Sequence, residues 1–261
     1  MRYRNFLVLL TCLIIFLFPC TSRGGEVVFQ YSTIDALMAG VYDGQLTIGE
    51  LKKQGNLGLG TFNALDGEMV VLDGKVYQVT VDGKVTQAPD CGKIPFAAVT
   101  FFTPKIFVPI KKAMSLSELT ELIDKALPTE NIMYALKING LFHRVKARSV
   151  PRQTRPYPSL AQAVEQQAVF PLTDVEGTMV GFRCPAFLNG VNVPGYHFHF
   201  LTRDRKTGGH VLDCTVENLT VQVDPTYRLS LVLPEEPDFF RLNLEKEKGG
   251  DLKKQINAGW E

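Results

Sequence analysis

From Leu57 onward apolar and polar positions alternate with period two, and the pairs Asp66-Gly67, Asp73-Gly74 and Asp82-Gly83 punctuate the alternation. Successive strand side chains point to opposite faces and Asp-Gly favours tight hairpin turns, so residues 58–87 predict a β-meander. The apolar, β-branched run 96–107 predicts one further strand. Runs 133–138 and 142–149 predict two strands joined by a hairpin turn at Asn139-Gly140, and residues 170–234 are mostly strand-like.

Helical spacing is sparser. Residues 31–39 predict a helix with Ser32 or Thr33 as its N-cap and Gly40 near its end, and 47–54 a second helix start. Ser115 with Glu118 opens a capped amphipathic helix over 115–126, and 160–167 predicts another. Pro151, Pro156 and Pro158 mark 150–159 as a connection between halves, and 251–260 ends the chain as a short helix or tail. The mixture predicts an α+β protein of two sheet-containing lobes, with mixed or antiparallel sheets and few helices. The lobes are expected over 26–150 and 151–261, the second carrying most of the histidines.

The first 25 residues stand apart. Arg2 and Arg4 precede an almost wholly apolar run from Phe6 to Phe18, with no acidic residue before Glu26. Such a run is shorter than the ~20 residues needed to span a bilayer and suits a cleaved signal peptide, so an exported protein is expected, periplasmic, envelope-anchored or secreted. Leu17 to Cys20 weakly resembles a lipoprotein box, although Phe18 and Pro19 occupy places where small residues are preferred; contact with membrane is expected only through such an anchor.

A formal net charge of +1 gives no reason to expect nucleic acid or an anionic surface as partner, which leaves small molecules, with a homodimer as the candidate assembly. Outside the signal the cysteines are Cys91, Cys184 and Cys214, an odd set without a CxxC pair, expected as buried thiols rather than a disulfide framework.

The most informative stretch is Tyr196-His197-Phe198-His199-Phe200, followed by His210. In a strand His197 and His199 share one face while Tyr196, Phe198 and Phe200 share the other, which can bury itself. If residues 204–207 form a four-residue loop, Arg203 pairs with Gly208 and His210 falls opposite Leu201, on the histidine face. Three of the chain's four histidines then meet on one hairpin, a facial set that suits a divalent metal, zinc best, with iron, manganese or nickel as alternatives. His143 lies apart in a basic strand and reads as a surface residue. Spacing alone implies a metal and leaves the reaction open, because His-x-His with a later His also occurs in cupins and carbonic anhydrases.

The words around these residues go further. GVNVPGYHFHFLTRDRKTGGHVLD (190–213), GLGTFNALDGEMVVLDGKVYQ (58–78) and HRVKARSVPRQTRPYP (143–158) closely resemble motifs of the α-acetolactate decarboxylase family, in the same order. The resemblance implies conversion of 2-acetolactate to acetoin and CO2 without thiamine diphosphate, at a zinc ion held by His197, His199 and His210. It also implies site roles for Glu68, Arg148 and Thr61, and a metal-site glutamate near the C-terminus for which Glu261 is the candidate, although the ending QINAGWE departs from the family pattern. Read without the resemblance, Glu68 is a solvated carboxylate beside a turn, and Arg148 a surface cation aligned with Arg144 and Lys146. Glu68 could ligate the metal, orient the substrate hydroxyl or transfer its proton, and Arg148 could hold the carboxylate or the enediolate. Two competing classes are a non-enzymatic periplasmic zinc-binding module, which needs the histidines but not Glu68 or Arg148, and another zinc lyase or hydrolase.

Overall fold

The structure, a computed structural model, describes residues 26–244. The expected signal segment with Cys20, the terminal segment 251–260 and Glu261 lie outside the described residues.

β1 (Val27–Tyr31) leads to two short helices, α1 (Ile34–Met38) and α2 (Ile48–Leu51), capped by the side chains of Thr33 and Thr47. The period-two region forms β2 (Leu57–Thr61), β3 (Glu68–Leu72), β4 (Lys75–Val79) and β5 (Val85–Gln87). Leu72 pairs with Lys75 across Asp73-Gly74, and both turn residues take positive φ (51° and 74°), the geometry for which Asp-Gly is selected. β6 (Ala97–Thr100) returns beside β2. The run 96–107 is therefore not one strand. It leaves the first sheet at Thr100 and enters the second as β7 (Ile106–Ile110).

Next come β8 (Met114–Ser115) and α3 (Leu116–Ala126), which has the expected Ser115–Glu118 capping box. β9 (Met133–Ser149) is a single 17-residue strand, so Asn139-Gly140 makes no hairpin. β9 runs unbroken because β10 (Ala168–Cys184), itself 17 residues long, pairs along nearly all of it and accommodates Gly140 opposite Gly177. Between them lies α4 (Leu160–Val164), and the chain closes with β11 (Gly195–Thr202), β12 (Gly208–Val216), β13 (Leu219–Thr226), β14 (Arg228–Val232) and α5 (Pro237–Phe240).

Two seven-stranded sheets result, ordered β14-β1-β6-β2-β3-β4-β5 and β7-β13-β9-β10-β11-β12-β8. The boundary expected at residue 150 does not separate them, since β9 lies inside the second sheet and β14 returns to pair with β1 of the first. One core lies between the sheets, where Leu59, Val70 and Leu72 meet Ala135, Val180, Phe182 and Leu201. The far face of the first sheet is covered by α2 through Ile48 and Leu51, and that of the second by α3 through Leu116, Leu119 and Ile123. Phe198 and Phe200 belong to the α3 core, where Phe200 meets Phe142 edge-to-face at 5.0 Å, a geometry worth ~0.5–1.5 kcal/mol beyond burial. With the aromatic side of β11 turned toward α3, its histidine side must face the first sheet. Cys184 and Cys214 are buried and Cys91 is exposed, all three as free thiols. No helix among the described residues is long and apolar enough to cross a membrane.

Candidate metal centre

The β11–β12 hairpin turns as expected through an even loop, but its register differs by two residues. Thr202 donates its N–H to Thr207, and His210 pairs with His199 rather than with Leu201. A shift of two keeps every side chain on its face, so the three histidines still meet. Because the second sheet curls, β12 also pairs with β9, and His210 lies opposite Arg148. His199, His210 and Arg148 therefore form one row across three adjacent strands, with His197 one repeat further along β11.

The first sheet supplies the facing wall. Thr61 and Glu68 are a cross-strand pair of β2 and β3 on the side that carries Leu59 and Val70 toward the second sheet. The Thr61 hydroxyl donates to the Gly67 carbonyl at 2.7 Å, fixing the chain immediately before Glu68. Gly67 has φ of 82° and the ideal Cβ position there lies 2.2 Å from the Val79 oxygen, so no side chain fits.

Six of the seven expected site residues, Thr61, Glu68, Arg148, His197, His199 and His210, line one pocket; the seventh, Glu261, lies outside the described residues. Arg148 is buried, whereas Arg144 on the same strand is exposed and pairs with Asp213. Glu68 Oε1 lies 3.7 Å from an Arg148 guanidinium nitrogen, and Oε2 lies 3.6 Å from His199 Nε2. Burial pushes Glu68 up to about 7, while the Arg148 charge draws it back, and burial lowers Arg148. Burial holds all three imidazoles well below their ordinary range, His199 down to about 3, with the Arg148 charge acting in the same direction. They are neutral, with lone pairs available to a cation.

The donor geometry fits a metal ion. His197 Nε2 and His199 Nε2 lie 3.2 and 3.4 Å from His210 Nδ1. Two nitrogens bound roughly 2.0–2.1 Å from one tetrahedral zinc would be about 3.3 Å apart. His199 Nδ1 donates to the Met69 carbonyl at 2.7 Å, leaving Nε2 as the free donor atom. His197 Nδ1 and His210 Nε2 are buried with no hydrogen-bond partner among the described residues. At ~1–3 kcal/mol for each unsatisfied group, such a cluster needs a compensating interaction, and an ion shared by its inner nitrogens provides one. His143 lies away from the pocket, half-exposed between Asp174 and Glu217.

Sequence reasoning missed the Met69 carbonyl, because a backbone acceptor has no side-chain signature. It also missed the apolar half of the pocket, formed by Ile34, Leu37, Leu65, Phe96, Val150 and Leu160, which read as ordinary core.

Fold and pocket define a class: a two-sheet α+β protein with a small-molecule site built on a histidine cluster that can hold a metal. The family model for alpha-acetolactate decarboxylase matches residues 28–246, and the chain belongs to that family of carboxy-lyases. An alpha-acetolactate decarboxylase of Methanosarcina mazei is 47% identical over 236 residues, 90% of this chain and 81% of that protein. One from Brevibacillus brevis is 42% identical over 219 residues, 84% of this chain and 77% of that protein. The crystal structure of the Bacillus subtilis strain 168 alpha-acetolactate decarboxylase superposes with a TM-score of 0.86 at 38% identity, covering 88% of this chain and 99% of that one.

The centre predicts about one divalent metal ion per chain in purified protein, measured by elemental analysis. His197→Ala and His199→Ala should each remove most of that metal. Full occupancy in either variant would show that the ion is held elsewhere.

Proposed function

We propose that the protein decarboxylates 2-acetolactate to acetoin and CO2, with zinc bound by His197, His199 and His210 and without thiamine diphosphate. The observation that carries this reading is the convergence of the histidine cluster, a buried carboxyl group and a buried guanidinium on one small pocket, in a chain of this family.

Acetolactate carries a carboxylate, a tertiary hydroxyl and a ketone on adjacent carbons. As the bond to the carboxylate carbon breaks, its electron pair passes to C2 and spreads onto the neighbouring ketone oxygen. When bound, a divalent ion supplies Lewis-acid stabilisation for charge on that oxygen, so no organic electron sink is required. Arg148, fixed by the pairing of β9 with β12, presents its guanidinium to the departing carboxylate or to the oxygen that gains charge. Thr61 already donates its hydroxyl proton to Gly67, so toward substrate it acts as an acceptor, suited to the tertiary hydroxyl. Glu68, with Oε2 beside His199, is placed to orient that hydroxyl or to exchange the proton that C2 must gain to give acetoin.

Export belongs to the same proposal, on the strength of the basic start and apolar run within residues 1–25. N-terminal sequencing of protein from the producing cell should begin after the apolar run. A terminus at Met1 in soluble cytoplasmic protein would contradict export.

Release of CO2 from racemic acetolactate tests the activity, and variants on the basic strand test the role of Arg148. Arg148→Ala should lower kcat more than it raises KM, by roughly 10- to 150-fold, the size of a lost charge-assisted hydrogen bond. Arg148→Lys keeps the charge without the planar fork and should recover only part of that loss. Arg144→Ala, at an exposed surface pair, should stay within about twofold. Equal small effects at both arginines would remove Arg148 from the reaction.

A further inference from the structure

We propose that Leu37 of α1 and Leu160 of α4 set the size of the hydrocarbon group that the pocket admits, making this wall the specificity-determining part of the site. The inference rests on the proposed reaction for the identity of the substrate, and on the geometry for the rest.

The pocket is chemically divided. Among the described residues, Thr61, Glu68, Arg148 and the histidines supply every polar side chain on its lining, and the rest of that lining is Gly60 with the six apolar side chains. A 2-hydroxy-3-oxo acid with all its oxygens turned to the polar side must lay its alkyl groups against the apolar side. That wall offers no side-chain hydrogen bond, so it discriminates by volume alone.

Two of its members differ from the others. Ile34, Leu65, Phe96 and Val150 are 1–2% exposed, whereas Leu37 and Leu160 each keep 6%. Both sit on five-residue helices outside the sheets, α1 capped by Thr33 and α4 by a Ser159–Gln162 capping box, which pack together through Ile34, Leu37, Leu160 and Ala163. The sheet-borne side of the pocket is fixed by strand register. The helix-borne side is held by α1–α4 side-chain packing and by backbone hydrogen bonds from Ile34 and Asp35 to Val191 and Gly190, none of which involves a polar group of the site, so a change of side-chain volume there alters pocket size without moving a donor atom.

One added methylene in an apolar pocket is resisted by about 10- to 200-fold. The protein should therefore prefer a 2-methyl-2-hydroxy-3-oxo acid over its 2-ethyl homologue, and truncation of either leucine should relax the preference. The measurement compares both keto acids by kcat/KM and, by calorimetry, the binding of their non-reacting 2,3-dihydroxy counterparts, in which the ketone is reduced and cannot accept the electron pair. Leu160→Ala and Leu37→Ala should shift the methyl-to-ethyl ratio by roughly tenfold or more toward ethyl, and Leu160→Val by less, in both measurements. Both ligands of a pair are measured on one preparation, so any unfolded fraction cancels from the ratio. Metal content should stay unchanged. A ratio that is the same in wild type and all three variants, or an equal loss of both ligands, would overturn the assignment. Failure of the proposed reaction would instead appear as no CO2 release from either keto acid, with the binding ratio still deciding the role of the wall.

Discussion

The hydrogen bond from His199 Nδ1 to the Met69 carbonyl, 2.7 Å long, is the contact on which the site depends. It joins β11 of one sheet to β3 of the other at the pocket, beside the apolar core between the sheets. It also settles the tautomer: with the proton on Nδ1, Nε2 carries the lone pair and faces the other two imidazoles. Glu68 precedes Met69 in β3, and the same contact brings its carboxyl to within 3.6 Å of that Nε2. One bond thus fixes the tautomer and ties the strand that carries the acidic group to the histidine cluster.

Around it the chain maintains an arrangement that would otherwise oppose folding. Three neutral imidazoles, a carboxyl group and a guanidinium are withdrawn from water within one pocket, and burial shifts each against its charged form. Glu68 and Arg148 offset this only in part, because at 3.7 Å they attract without forming a tight ion pair. Apolar packing on both faces of the second sheet holds the row His199–His210–Arg148 in register, so these groups stay aimed at a common point. Such preorganisation lets fixed charges stabilise a transition state without rearrangement when it forms.

What was legible in the sequence follows the range of the interactions. Period two placed His197 and His199 on one face with the aromatics opposite, and the even loop brought His210 to that face even with the register two residues off. The Asp73-Gly74 turn and the Ser115–Glu118 box are local and were equally clear. The division of the chain was not. Asn139-Gly140 looks like a hairpin turn, yet β10 pairs straight past it, and the run 96–107 crosses between sheets without a break in its apolar character. Arg144 and Arg148 both pair with β12, and they differ because Arg148 lies in the pocket beside Glu68 of the first sheet, a long-range contact with no local signature. Only the family resemblance singled out Arg148, Glu68 and Thr61, which line one pocket with the three histidines.

Anomalous diffraction at the zinc edge from metal-loaded crystals tests the central claim most directly. The account predicts one strong peak about 2.0–2.1 Å from His197 Nε2, His199 Nε2 and His210 Nδ1, on the side that faces Glu68 and Arg148. A fully loaded protein whose peak lies away from these three nitrogens would contradict it.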